Sequence, residues 1–189
     1  VISILALAVG CSHGGGGDDG FVTPEQNVTI SGAAAAGPIL GGTVRVLALN
    51  ADGSVGAQLG ETKTSSTDGT YSINIGMYSG NILVGVTGGT YKDEATGAIH
   101  SNALLRAAVT GVSGGTVTLA VTPLTELAVQ LATTLSLTTN AINNCNTLVS
   151  CMIGVNILGV LPVDVTDENA VKAGSAEQGT YGLMLATLS

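Results

Sequence analysis

From residue 22 to residue 121, apolar and polar side chains alternate in short runs, and turn-forming residues interrupt them about every ten positions. A period of two is that of a strand with one buried face, and it is incompatible with a helix face. The runs are Asn27-Val-Thr-Ile30, Thr43-Val44-Arg45-Val46-Leu47-Ala48-Leu49, Thr70-Tyr71-Ser72-Ile73-Asn74-Ile75, Ile82-Leu-Val84-Gly-Val86 and Val117-Thr118-Leu119-Ala120-Val121. In the second, Val44, Val46 and Ala48 share one face and Arg45 takes the other; in the third, Tyr71, Ile73 and Ile75 point inward. Residues 103–109 form a weaker strand. Asn50-Ala-Asp52-Gly53 is a turn signal. A parallel α/β sheet needs helices between its strands, and these gaps hold turn residues instead. The expectation is a mainly β chain, a seven-strand antiparallel β-sandwich over residues 22–121.

The pattern changes at Thr122-Pro123, a capping hydroxyl followed by Pro at the first helical position. Leu124, Leu127, Leu131 and Leu135 then recur at helical spacing, with Ala128 and Ala132 on the same side, which predicts a core-facing stripe. A second helix is expected from Asn140 to Ile153, stopped by Gly154. Ser175-Ala-Glu-Gln178 is a capping box opening a third, with Tyr181, Met184, Leu185 and Leu188 on one face. Residues 122–189 thus read as a small helical region. Because Ser189 falls inside the third helix, the chain is expected to continue past it.

Charged residues make up only 10% of the chain and the net charge is −8. Nucleic acid is excluded as a partner, since phosphate binding needs clustered basic side chains, and Arg45, Lys63, Lys92, Arg106 and Lys172 are scattered. Trp is absent and Phe occurs once, so few rings are available for stacking.

Ahead of the strands, residues 1–10 are an apolar run ending in Ala8-Val9-Gly10-Cys11. This resembles the end of a signal peptide (residues 1–10, partial) and its lipobox. Small residues at Ala8 and Gly10 let the backbone enter a peptidase cleft. The resemblance implies lipidation of Cys11, and two or more acyl chains give stable membrane anchoring. Residues 11–21, rich in Gly with Asp18 and Asp19, read as a flexible linker from that anchor. Without a Met or a basic stretch at Val1, the true start is expected further upstream. Ser12 after the cysteine favours the outer membrane of a bacterial envelope.

A second resemblance lies in Ser31-Gly32, in Gly37-Pro38-Ile39-Leu40-Gly41-Gly42-Thr43-Val44-Arg45-Val46, and in Ser66-Thr67-Asp68-Gly69-Thr70-Tyr71-Ser72-Ile73. Together these motifs resemble the carboxypeptidase-regulatory-like (transthyretin-like) sandwich of bacterial surface proteins, with the second motif one residue shorter than the family's. The resemblance covers about half of the chain. It implies a structural or binding module rather than an enzyme, with Asp68-Gly69 making a hairpin turn and Tyr71 plugging the core.

Chemistry-bearing residues are sparse. Cys145 and Cys151 suit a disulfide only if the second helix breaks before Cys151, because an unbroken helix holds residues six apart beyond disulfide reach; otherwise they are two free thiols. Zinc is not expected, since there is no CxxC and no nearby His. His100 lacks the elbow motif of a catalytic triad and reads as a hairpin-edge residue. Asp93 and Glu94 are adjacent and would point to opposite faces, so paired-carboxylate catalysis is not expected. Asp164, Asp167 and Glu168 lack EF-hand spacing, and Thr166-Asp167 looks like a helix start. No catalytic residue, cofactor or metal is therefore expected. The expected role is a lipid-anchored, surface-displayed structural or adhesion module. The alternatives are a glycan-binding or accessory subunit of a carbohydrate-processing or secretion assembly, with Tyr78, Tyr91, Asp93 and Glu94 as its ligand loop, and an accessory domain of an enzyme whose catalytic part lies beyond Ser189. The partners expected are the membrane, through the lipid, and a polysaccharide or envelope protein.

Overall fold

The computed structural model describes residues 26–188. Cys11, the lipobox residues Ala8, Val9 and Gly10, and the Gly-rich linker lie outside the described residues, as does Ser189. Among the described residues the chain is mainly β, with mostly antiparallel sheets and a few helices. The strands are β1 Asn27–Ala33, β2 Thr43–Leu49, β3 Val55–Lys63, β4 Thr70–Met77, β5 Ser79–Thr87, β6 Thr90–Lys92, β7 Ile99–Ser101, β8 Leu104–Ser113 and β9 Gly115–Thr118. The helices are α1 Pro123–Thr133, α2 Thr139–Ile153, α3 Glu168–Ala173 and α4 Ala176–Leu188.

One sheet has the order β4-β1-β9 and a second the order β3-β2-β5-β8, while β6 and β7 form a small hairpin. The expectation of wholly antiparallel pairing needs one correction: β1 and β9 run parallel. β9 arrives from β8 in the other sheet, so a crossing rather than a hairpin sets its direction. A second correction concerns Asp68-Gly69. Strands β3 and β4 lie in different sheets, so this turn carries the chain between sheets and is no hairpin. Gly69 fits it because φ is +71°, and a Cβ there would meet Ala34 O at 2.8 Å. Asp68 fixes the corner by accepting from the Thr70 amide (3.0 Å) and hydroxyl (2.8 Å).

The two larger sheets meet across one apolar cluster that includes Val28, Ile30, Val44, Val46, Tyr71, Ile73, Ile82, Val84 and Val86. The inward residues read from the alternation are therefore buried, apart from Ala48, which is half-buried. Tyr71 closes the cluster, its hydroxyl donating to Leu119 O at 2.7 Å.

A second cluster joins the outer face of the four-stranded sheet, through Leu49, Leu83 and Ala108, to Ala128, Val129, Ala132, Ile142, Cys145, Val149 and Tyr181 of the helices. The middle of that sheet is thus covered on both faces. Thr122 caps α1 and Gly154 ends α2 in the left-handed conformation, as the sequence predicts. The α1–α2 connection sits on the β2–β3 turn so tightly that a Cβ on Gly53 would lie 1.6 Å from Ser136 O. The leucine stripe of α1 is corrected: Leu124 is buried, but Leu127, Leu131 and Leu135 face out, and the core face is Ala128, Val129 and Ala132. On α4 Tyr181 and Leu185 are buried as expected, whereas Met184 and Leu188 are exposed. No helix among the described residues is long and apolar enough to cross a membrane.

Candidate functional site

The residues singled out in the sequence do not make one site. Tyr78 precedes β5, whereas Tyr91, Asp93 and Glu94 follow its far end. A nine-residue strand separates them by roughly 30 Å. Tyr78 is engaged in its own turn, donating to Asn81 O at 2.7 Å. Tyr91 sits in β6 opposite His100 in β7, their ring centroids 5.7 Å apart and tilted by 32°.

Asp93 and Glu94 diverge, as adjacent strand-end residues should. Asp93 is buried and turns into the β6–β7 connection, where its carboxylate accepts from the amides of Ala95 (2.9 Å) and Thr96 (2.6 Å). The Thr96 amide above all holds it below the usual carboxylate range.

Glu94 points the other way, into a cavity of about 280 Å³ between the sheets and residues 160–167, the strap leading from α2 to α3. Asp68 of the β3–β4 corner, Asp164 of the strap and Asp167 at the start of α3 line the same cavity. Glu94 Oε2 is shut off from solvent and has no hydrogen-bond partner. Burial first, then the neighbouring Asp164 charge, pushes the Glu94 carboxyl up to about 7, although the Val165 amide opposes this. Asp68 is held low by the Thr70 amide and hydroxyl. Asp164 accepts from the Thr166 amide (2.8 Å) and hydroxyl (2.6 Å), and Asp167 caps α3 through the amides of Asn169 and Ala170. Glu168 pairs with Lys172 at 2.6 Å. Among the described residues no group of three or more His, Cys, Asp or Glu is placed to hold a metal ion. These carboxylates build turns and a helix start, and among the described residues only Glu94 has a buried side-chain oxygen without a hydrogen-bond partner.

No family model matches this chain, and no curated protein matches it. The cavity's character therefore rests on its own chemistry. It joins a carboxyl that titrates near neutrality to a second carboxyl from a distant stretch of chain, a pairing with no signature in local sequence.

A larger, open groove of about 590 Å³ follows α2 and is lined by Asn143, Asn146, Ser150, Cys151 and Asn156. Its polar groups already serve the fold: Asn143 accepts from Thr110, Asn146 donates to Ala108 O, Ser150 accepts from the Ile157 amide, and Asn156 caps the next turn. Cys151 is exposed at this groove and Cys145 is buried on another face of the same helix, both as free thiols. The disulfide needed a break in α2; the helix runs unbroken to Ile153, so the condition fails.

Proposed function

We propose that this chain is a lipid-anchored bacterial envelope protein whose β body and helices form a non-catalytic structural or adhesion module displayed on the outer membrane. Within this reading the two facing sheets are a transthyretin-like β-sandwich. Cys11 carries the lipid, and residues 11–21 space the body, which starts at residue 22, from the bilayer.

The observation that carries the reading is how the polar side chains of the body are engaged. Asp52, Asp68, Asp93, Asp164 and Asp167 each accept from a nearby backbone amide, the signature of residues chosen to fix turns and a helix start. A rigid scaffold with tightly tied corners suits display, and an anchored linker gives it reach.

The experiment is metabolic labelling of bacteria expressing the full chain with an alkyne palmitate analogue, followed by membrane fractionation. Label on the wild type that disappears in Cys11→Ala, with loss of membrane retention, is the expected result. Label that persists in the variant, or is absent from both, overturns the anchor.

A second reading, glycan binding, is favoured by one specific feature, the tilted Tyr91–His100 pair on the exposed β6–β7 hairpin. Sedimentation with peptidoglycan and envelope polysaccharides separates the two. Saturable retention lost in Tyr91→Ala but kept in Tyr78→Ala selects this reading, since the two tyrosines lie at opposite ends of β5.

A further inference from the structure

The strap is held on one side by α4, and on the other it meets the Glu94 carboxyl through the Val165 amide and the like-charged Asp164. On the α4 side, the Val163 amide donates to Gln178 O at 3.4 Å and the Gln178 side chain donates to Leu161 O at 3.1 Å. A Cβ on Gly182 would meet Val163 O at 2.2 Å, so strap and helix backbones lie in direct contact. On the other side, Glu94 from the β6–β7 connection faces Asp164 across the cavity.

Apart from His100 of β7, which acts on Asp93, the titratable groups around that pair are carboxyls. Asp93 neighbours Glu94 on the hairpin, Asp68 comes from the β3–β4 corner, and Asp167 comes from the start of α3. Lys92 lies back along its own hairpin, its Cε 3.6 Å from where a Cβ on Gly97 would sit. Among the described residues Glu94 makes no ion pair, and its Oε2 has no partner. Two carboxyl groups this close resist ionising together, and one shared proton relieves the repulsion.

Only α3 is weakly anchored beyond the strap: it buries no side chain, and residues 161–167 of the strap are at most half-buried, whereas α4 is pinned by the fully buried Tyr181, bonded to Thr122 and Ile157. We infer that Glu94 and Asp164 form a proton-operated latch, which holds the strap with α3 against the β6–β7 hairpin while it keeps its proton and loosens them when the proton leaves.

The direction follows from the carboxyl's preference. Burial and then Asp164 of the strap push the carboxyl up to about 7, so the docked state, which brings Asp164 alongside, binds the proton more tightly. Docking is therefore strongest at low pH, weakens as pH rises through 7, and levels off above. Each pKa unit is worth a factor of about ten in the equilibrium, and because Glu94 is only half-buried we take about ten-fold as the expected change.

The test is hydrogen exchange with mass-spectrometric readout on the full chain at pH 5, 6, 7 and 8, expressed as protection factors so that intrinsic exchange rates cancel. In the wild type, protection over residues 161–173 should fall about ten-fold from pH 5 to pH 8, while β2, β5 and α1 stay constant. Glu94→Gln should remove the pH dependence. Asp164→Asn, which removes the like charge but leaves Glu94, should move the midpoint to lower pH. Wild-type protection that is flat with pH, a Glu94→Gln profile that matches the wild type, or an unmoved midpoint in Asp164→Asn overturns the latch. The Asp164→Asn arm decides the matter even where Glu94→Gln fails to fold.

Discussion

Thr122 shows how much one residue holds at the junction of strands and helices. It is fully buried, its hydroxyl accepts from the Thr125 amide at 3.2 Å, and its own amide donates to the Thr125 hydroxyl at 2.8 Å. The same hydroxyl shares a 2.7 Å hydrogen bond with Tyr181 of α4, whose OH also donates to Ile157 O. Thr122→Ala should therefore lose the cap and one buried bond, lowering stability by about 1–2 kcal/mol. Urea unfolding should show a lower midpoint at unchanged slope, and Thr122→Ser should restore most of the loss. A variant as stable as the wild type would mean that water replaces the hydroxyl. The cap was legible in Thr122-Pro123 because capping is local chemistry. The Tyr181 contact was not, since nothing in a linear sequence marks which helix will return to a given cap.

At the scale of elements, the sequence reported type better than orientation. Alternation in Tyr71, Ile73 and Ile75 identified β4 and its buried face because only one face of the run is apolar. β3 escaped notice, since Val55-Gly-Ala-Gln-Leu-Gly-Glu-Thr-Lys63 has little alternation. Its glycines have a packing reason: a Cβ on Gly60 would lie 2.7 Å from Ile73 Cδ1 in the facing sheet. Helix α1 posed the opposite problem, being apolar on two sides. The leucines looked like the core, yet the alanines are buried, because small side chains let α1 lie close against α2 and the sheet. Two changes separate these faces. Leu127→Ser with Leu131→Ser should cost no more than about 0.5 kcal/mol each, as exposed positions do. Ala132→Leu, placed in a filled core, should cost about 1–3 kcal/mol. Thermal unfolding by circular dichroism reads both, and the reverse ranking would place the leucine stripe inside.

Across the whole molecule, the helices and the sheets share a core, so β8 belongs to both parts. Besides the apolar contacts of Ala108, the two parts are tied by Arg106 on β8, which donates to Glu126 on α1 through Nε at 2.9 Å and Nη2 at 2.6 Å. The pair is largely buried, with 26% and 12% of the side chains exposed, and the Glu126 bond raises the Arg106 pKa further above its ordinary value. Glu126 also accepts from Gln130, and Thr125 donates to Arg106 O, so the bridge lies within a small network. The sequence could not reveal it, because a lone Arg in a weak strand and a lone Glu in a helix carry no mark of each other. Removing one partner leaves the other charge poorly solvated, so Arg106→Met should destabilise by about 1–3 kcal/mol. Arg106→Met with Glu126→Leu should recover much of that loss, because the desolvation of both charges disappears together. The readout is a double-mutant cycle in urea followed by helical signal and by tyrosine fluorescence. Tyr71 lies in the sheet core and Tyr181 in the helical core, so fluorescence sees both parts. If β8 couples the sheets to α1 as the packing implies, the two signals should coincide in wild type and in Arg106→Met. Signals that separate in Arg106→Met would identify the ion pair, rather than the shared apolar core, as what makes sheets and helices unfold as one.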